Sequence, residues 1–112
     1  RLRIQRCHMN KTESKWLHNF VTAILSLETE EECENFFEDI CTIKEFQDLT
    51  HRLEVARLLS EGKVFNEISK LTGASSATIT RVNKCLVYGA GGYKTVLEKN
   101  RNFADGEVTE ER

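Results

Sequence analysis

Apolar residues recur at helical spacing along most of the chain, and the first segment shows this most clearly. Two rows of apolar residues follow Ser14 at intervals of three or four positions: Trp16, Phe20, Ile24 and Leu27, and beside them Leu17, Val21 and Leu25. This period predicts an amphipathic helix. Two rows make an apolar arc wider than one surface helix requires. We therefore expect a second copy of the chain to cover part of this arc, with an ordinary monomeric bundle as the alternative.

Local signals mark where the next two helices begin and end. Thr29 and Thr42 each stand three residues before a glutamate, Glu32 and Glu45, and apolar residues at helical spacing follow each pair. In such a capping box, the hydroxyl and the carboxylate accept hydrogen bonds from amides that have no partner within the helix. Each box therefore predicts a helix start. Gly62 predicts the end of the third helix, because glycine readily adopts the left-handed conformation found there.

The residues that follow predict a helix-turn-helix over about 64–87. A short helix is ended by Gly73, and Ser75 or Ser76 then caps a second helix. Inward positions are expected at Phe65, Ile68 and Leu71 in the first helix and at Ile79, Val82 and Leu86 in the second. Two helices joined by a tight, glycine-containing turn are typical of this motif.

A sixth, short helix is expected around Tyr93, after a segment interrupted by three glycines, Gly89, Gly91 and Gly92. The sequence thus predicts an all-α fold of six helices that contains a helix-turn-helix. The absence of proline from the chain agrees with a helical class.

The domain organisation follows from length and composition. The 112 residues suit one domain rather than two, and we expect that domain to occupy residues 9–99. Residues 1–8 fit the pattern poorly and end in a histidine directly before a methionine, so we expect them to derive from a cloning vector. Residues 100–112 are polar and acidic, which predicts a mobile tail.

Charge is distributed unevenly, although the net charge is only −2. Residues 13–61 hold twelve acidic and four basic side chains, whereas residues 62–101 hold seven basic and two acidic ones. A basic segment attached to an acidic one is the electrostatic pattern expected for a polyanion partner such as double-stranded DNA. A solvated surface with chance asymmetry is the alternative.

Small hydroxyl and methyl side chains on the second helix of the motif agree with DNA binding. Such a helix enters the major groove, where hydroxyls contact phosphates or base edges and methyl groups contact thymine. The candidate DNA contacts are Lys63, Lys70, Ser75, Ser76, Ala77, Thr78, Thr80, Arg81, Asn83 and Lys84. Two alternatives stay open: a plain interhelical turn with a polar face, and a helical protein-interaction module that uses the motif as a scaffold without specific DNA binding.

The sequence of this motif resembles the Trp repressor-like superfamily. Residues 73–81, GASSATITR, are similar to the turn and recognition helix of the tryptophan repressor. Residues 36–45 and 49–53 resemble the central helices of that repressor.

Within the superfamily, the chain is identified as a member of the bacterial YerC/YecD family of TrpR-related DNA-binding proteins. Residues 23–27, 52–57 and 73–79 carry this closer match, and the resemblance spans roughly residues 15–98. It implies an intertwined, all-helical homodimer. It also implies that the dimer binds a palindromic operator and regulates transcription, as a repressor, in the bacterial cytoplasm.

The resemblance also supplies candidate positions for a ligand pocket. Thr42, Arg52 and Arg81 fall where the repressor holds its tryptophan corepressor. Val82 stands where the repressor has a glycine beside the indole ring, and Cys85 stands where it has a serine. A β-branched side chain in the indole slot fills it, so we expect any small-molecule effector to be a compound other than tryptophan. Arg52 has an alternative role as the ion-pair partner of the aspartate four residues before it.

No catalytic or cofactor-binding pattern accompanies these residues. The sequence shows no nucleophile–base pair and no phosphate-binding loop, so we expect a protein that is not an enzyme and needs no cofactor. Its four cysteines lack zinc-ligand spacing, which favours free or buried thiols in a reducing cytoplasm and no metal site. No apolar run approaches the roughly 20 residues that cross a bilayer, so we expect no membrane association.

Overall fold

The computed structural model describes residues 9–103, and six α-helices account for most of them. In chain order the helices are α1 Lys11–Leu25, α2 Glu30–Ile40, α3 Ile43–Ser60, α4 Phe65–Thr72, α5 Ser76–Tyr88 and α6 Gly92–Lys99. No strand occurs among residues 9–103, and the predicted all-α class with six helices is confirmed. The predictions for residues 1–8 and for residues 104–112 of the tail lie outside the described residues.

The chain divides between Arg52 and Leu53 into two compact units, an N-terminal and a C-terminal one. α1, α2 and the first part of α3 belong to the N-terminal unit, and the rest of α3 with α4, α5 and α6 belongs to the C-terminal unit. Among the described residues, all fully buried hydrophobic side chains lie in the C-terminal unit.

α1 begins earlier than its apolar pattern indicates. The Asn10 side chain accepts a hydrogen bond from the Glu13 amide at 2.8 Å, and the Glu13 carboxylate accepts one from the Asn10 amide at 3.3 Å. The helix therefore starts at Lys11 rather than near Ser14. Apolar spacing begins only at Trp16, so it misses a polar first turn that a reciprocal cap stabilises.

The predicted capping boxes begin α2 and α3. Thr29 Oγ1 accepts from the Glu32 amide at 3.0 Å, and the Glu32 carboxylate accepts from the Glu28 amide, one residue before the cap, at 2.8 Å. Thr42 and Glu45 form the fully reciprocal pair, at 3.1 and 2.8 Å. A cap of this kind stabilises a helix by about 1 kcal/mol, and it fixes both starts where the sequence predicts them.

Aromatic rings hold the N-terminal unit together without a fully buried core. Phe20, Phe36, Phe37 and Phe46 are successive neighbours, with ring centroids 6.1, 5.4 and 6.0 Å apart. Such pairs contribute about 0.5–1.5 kcal/mol each beyond the area they bury. No side chain of α1 or α2 is buried, and Trp16 is 63% exposed. The apolar face of α1 is therefore still largely exposed in a single copy of the chain.

The C-terminal unit has a compact core to which α3, α4 and α5 all contribute. Its buried residues are Val55, Ala56, Leu58, Ile68, Ile79 and Val82. The predicted inward placement of Phe65 and Leu71 is wrong, because these side chains are 40% and 62% exposed. Each stands three residues from Ile68, about 60° around α4 and about 4.5 Å along it. In a helix of eight residues, only the central position of that row reaches the core.

α3 ends as Gly62 predicts. Gly62 has a φ of +88°, and the amides of Gly62 and Lys63 donate to the carbonyls of Leu59 and Leu58 at 3.0 and 3.1 Å. This Schellman motif satisfies two carbonyls of the last turn. It fixes the direction in which the chain leaves α3 and enters α4.

Candidate nucleic-acid interface

The turn between α4 and α5 is held by side-chain hydroxyls. Gly73 ends α4 in the left-handed conformation, at φ +76°, which costs other residues about 1–2 kcal/mol. Thr72 Oγ1 donates to the Ile68 carbonyl at 2.8 Å and accepts from the Ala74 amide at 3.0 Å. The Ser69 hydroxyl donates to the Ala74 carbonyl at 3.0 Å. These bonds satisfy backbone groups that a tight turn leaves without partners, and so fix the path from α4 into α5.

Ser75 is the cap of α5, and Ser76 is its first residue. The Ser75 hydroxyl accepts from the Thr78 amide at 3.1 Å and donates to the Thr78 hydroxyl at 3.2 Å. Of the two candidate caps in the sequence, Ser75 therefore takes the role. Both serines are exposed, but the Ser75 hydroxyl is engaged with Thr78, whereas the Ser76 hydroxyl makes no hydrogen bond within the described part of the chain.

α5 has one buried and one exposed face. Ile79 and Val82 are buried, and Leu86 is half-buried. Of the predicted contacts on this helix, the exposed ones are Ser76, Ala77, Thr80, Arg81 and Lys84, and the half-buried ones are Thr78 and Asn83. No acidic residue occurs between Ser76 and Tyr88. The exposed face therefore combines small and cationic side chains, and α5 itself presents no carboxylate that would repel a phosphate.

Two predicted contacts, Lys63 and Lys70, lie outside α5. Lys70 is exposed in the last turn of α4. Lys63 lies before α4, and its Nζ is 3.8 Å from a carboxylate oxygen of Glu67, with both side chains about half exposed. Ion pairs exposed to this degree contribute at most about 1 kcal/mol. Replacing Glu67 with a phosphate as the partner of Lys63 would therefore cost little.

A buried arginine braces the end of α3, directly before the helix-turn-helix. The side chain of Arg57 is only 10% exposed and lies 2.7 Å from the carboxylates of both Glu54 and Glu61. Its Nε also donates to Glu54 at 3.0 Å, so the contact with Glu54 is bidentate. Bidentate arginine–carboxylate pairs are geometrically restrictive. They tie the last turns of α3 together at the point from which α4 and α5 are positioned.

The predicted ligand-pocket residues occupy unlike environments. In the N-terminal unit, Thr42 caps α3 with its hydroxyl, and Arg52 is half-buried. The aspartate four residues before Arg52 pairs with Lys44 at 3.2 Å rather than with Arg52. In the C-terminal unit, Arg81 and Cys85 are exposed. Val82, at 1% exposure, is part of the hydrophobic core.

The C-terminal unit also contains a surface cavity of about 630 Å³. It lies against the end of α3, α5 and α6, and its lining includes Arg57, Leu86 and Lys94. None of the predicted pocket residues of this unit, Arg81, Val82 and Cys85, lines it.

One exposed residue of α5, Tyr88, is absent from the predicted contacts. It is 72% exposed and stands eleven residues after Ala77, which is just over three full turns of an α-helix. Its phenol is neither a small hydroxyl or methyl side chain nor a cation, the features that predict the other contacts on this helix. The spacing of Ala77, Arg81, Lys84 and Tyr88 is the signal that identifies it.

Residues 9–103 contain no group of three or more His, Cys, Asp and Glu side chains arranged to hold a metal ion. Within the same residues, no helix combines the length and the apolar character needed to span a membrane.

α4, the left-handed turn at Gly73 and α5 with its carboxylate-free exposed face define a helix-turn-helix protein. The family model described as Trp repressor protein matches residues 15–101. The chain belongs to the Trp repressor family, whose members are DNA-binding regulators rather than enzymes.

Individual relatives agree with this assignment. The chain is 48% identical over 91 residues to YerC, an uncharacterized protein of Bacillus subtilis strain 168, and the match covers 81% of this chain and 88% of YerC. A crystal structure of a candidate Trp repressor from Staphylococcus aureus superposes with a TM-score of 0.79 at 36% identity, covering 90% of this chain and 96% of that one. A TrpR-like protein from Eubacterium eligens ATCC 27750 gives a TM-score of 0.79 at 43% identity, covering 85% and 98%.

Proposed function

We propose that this protein is a sequence-specific transcriptional repressor that binds a palindromic operator as a homodimer. The observation that carries the proposal is the exposed face of α5, where Ala77 and Thr80 lie beside Arg81 and Lys84 with no carboxylate on the helix. Methyl groups suit thymine, hydroxyls suit base edges or phosphates, and cations suit phosphates or guanine. The helix-turn-helix formed by α4 and α5 is the part of the proposed domain, residues 9–99, that enters the groove.

Phosphate attraction is supplied around this face. Arg81 and Lys84 on α5 and Lys70 on α4 are exposed, and none of them forms an ion pair within residues 9–103. Each phosphate neutralised in this way releases condensed counterions from the duplex, which makes affinity fall as salt rises. The proposal therefore requires a steep salt dependence.

The homodimer is supported by the exposed apolar face of the N-terminal unit. α1 and α2 contain no buried residue, while Trp16 and Leu25 are 63% and 78% exposed. Contiguous exposed apolar surface is typical of interaction sites. In a twofold-symmetric dimer, the apolar face of one protomer packs against the same face of its partner, so each covers the other. Two recognition helices related by that axis would enter successive major grooves about 34 Å apart.

Tryptophan does not fit as the effector. Val82 belongs to the core formed with Val55, Ile68 and Ile79. A ligand ring in that place would have to displace packed side chains, and interiors of this density tolerate extra volume only at a cost of about 1–3 kcal/mol. We therefore propose either another small-molecule effector or a repressor that binds DNA without one.

The proposal is tested by selecting bound fragments from a random duplex pool with the full chain. Enrichment of a palindrome, followed by anisotropy titrations whose affinity falls steeply between about 50 and 200 mM salt, is the expected result. If no DNA sequence is enriched, and the chain instead binds a protein through an apolar contact whose affinity does not depend on salt, the protein-interaction module is favoured.

A further inference from the structure

The exposed face of α5 extends further along the helix than the predicted DNA contacts do. Ala77, Arg81, Lys84 and Tyr88 follow one another at intervals of four, three and four residues, and all four are exposed. Eleven residues at 100° each return the helix to within about 20° of its starting direction. These four side chains therefore form a single stripe, and its last member is the most bulky.

The stripe has its smallest side chain at the start of α5 and its largest at the end. Ala77 permits the close approach that base contact requires, because recognition helices place their N-terminal residues against base edges. Tyr88 lies about 16 Å further along the axis, at 1.5 Å per residue, and the major groove is only about 12 Å wide. A helix that enters by its N-terminal end thus carries Tyr88 out to the phosphates at the groove edge.

The surroundings of Tyr88 suit such a contact. Its side chain is 72% exposed, and its hydroxyl makes no hydrogen bond within the described part of the chain. Lys84 stands four residues earlier on the stripe and is also exposed, so positive charge is present at this end of the helix. A phenol combines a hydroxyl donor with a flat apolar ring, which matches a phosphate oxygen beside a deoxyribose.

We propose that Tyr88 binds the DNA backbone at the edge of the major groove, where its hydroxyl donates a hydrogen bond to a phosphate oxygen. The inference rests on the proposed function, because it requires α5 to be the recognition helix. The contact is to the backbone, so it strengthens binding to any duplex and sets how deeply α5 enters the groove.

The test compares Tyr88→Phe, which removes only the hydroxyl, with Tyr88→Ala, which also removes the ring. Fluorescence anisotropy measures the affinity of the full chain for the selected operator and for a scrambled duplex of the same length. We expect Tyr88→Phe to weaken both complexes by the same factor, roughly tenfold, as for a hydrogen bond to a charged group. We expect Tyr88→Ala to weaken both further, and Val87→Ala, an exposed neighbour off the stripe, to leave both unchanged.

Salt dependence separates this contact from an ionic one. A neutral hydroxyl releases no counterion, so Tyr88→Phe should keep the wild-type salt slope, whereas Lys84→Ala should lower it by about one. Wild-type affinity in both Tyr88 variants would overturn the inference while leaving the repressor proposal intact. So would a shift of the sedimentation profile in Tyr88→Phe without DNA, since it would assign Tyr88 to a subunit interface. A wild-type chain that binds neither duplex contradicts both proposals.

Discussion

The Ser75 hydroxyl and the Thr78 backbone amide are joined at 3.1 Å, and the two side-chain hydroxyls are joined at 3.2 Å. This pair links the cap of α5 to the third residue of the helix. It separates two functions within a run of small polar residues, because the Ser75 hydroxyl is engaged at the helix start while that of the adjacent Ser76 makes no hydrogen bond within residues 9–103.

The first prediction follows from that separation. Ser75→Ala should lower the free energy of unfolding by about 1 kcal/mol, because the Thr78 amide loses its acceptor. Ser76→Ala, one residue away and exposed, should change it by less than about 0.5 kcal/mol. Urea unfolding followed by circular dichroism measures both. Equal stability losses in the two variants would mean that Ser75 is not the cap.

The second prediction concerns Thr78 itself. Thr78→Asp should reduce operator affinity by at least about a hundredfold, because it places a carboxylate against base edges and phosphates. The fold should persist, since an acidic residue in the first turn interacts favourably with the helix dipole. Thr95→Asp, the same substitution at an exposed position of α6, is the control and should bind normally. Anisotropy and thermal melting of both variants decide the matter, and tight binding by Thr78→Asp would refute α5 as the recognition helix.

The third prediction addresses the proposed dimer. Trp16→Glu should shift the sedimentation profile from dimer to monomer, because an unpaired carboxylate buried in an apolar interface costs several kcal/mol. His18 stands two residues later, about 200° around α1, and His18→Glu should leave the dimer intact. Analytical ultracentrifugation across a concentration series measures both. A monomeric wild-type chain, or a dimeric Trp16→Glu variant, would contradict the assignment of this face.

The fourth prediction uses two glycines near the junction of α5 and α6. A Cβ added at Gly89 would clash with the Cys85 carbonyl oxygen, whereas one added at Gly92 meets nothing within 4 Å. Gly89→Ala should therefore destabilise the protein by about 1–3 kcal/mol. Gly92→Ala, at the first position of α6, should stabilise it by about 0.5–1 kcal/mol. Chemical unfolding compares them, and an unaltered Gly89→Ala variant would show that the end of α5 relaxes freely.

The fifth prediction is that tryptophan does not bind. Val82 is packed into the core at 1% exposure, so an indole ring could take its place only by displacing packed side chains. Isothermal titration of the full chain with tryptophan should show only heats of dilution, and tryptophan should leave operator affinity unchanged. A saturable heat would show that the core opens around Val82 to admit a ring.

Helix ends were largely predictable from the sequence because their causes are local. Thr29, Thr42 and Gly62 act on amides and carbonyls within a few residues, so a short motif contains the whole interaction. The start of α1 was missed although its cause is equally local. Asn10 and Glu13 form the capping box of α1, but the apolar spacing begins only at Trp16 and so predicts a helix start near Ser14.

Burial was less predictable, because it depends on what packs against a helix. Phe65 and Leu71 share a row with Ile68, yet only Ile68 reaches the core. Which hydroxyl caps α5 was equally hidden, since Ser75 and Ser76 have the same side chain and differ only in their position relative to the helix start. Tyr88 was overlooked because its place on the stripe becomes evident only once the helix is known to continue to that residue.

The turn before α5 is closed by hydroxyls of Ser69, Thr72 and Ser75, all bonded to neighbouring backbone groups. Of the proposed DNA-contacting residues of α5, only Thr78 takes part in these bonds. The other contact positions of the helix can therefore change without disturbing the hydrogen bonds that close the turn. A combinatorial library at positions 76, 77, 80 and 84 would retarget the protein to new sequences while each member kept the same folded scaffold.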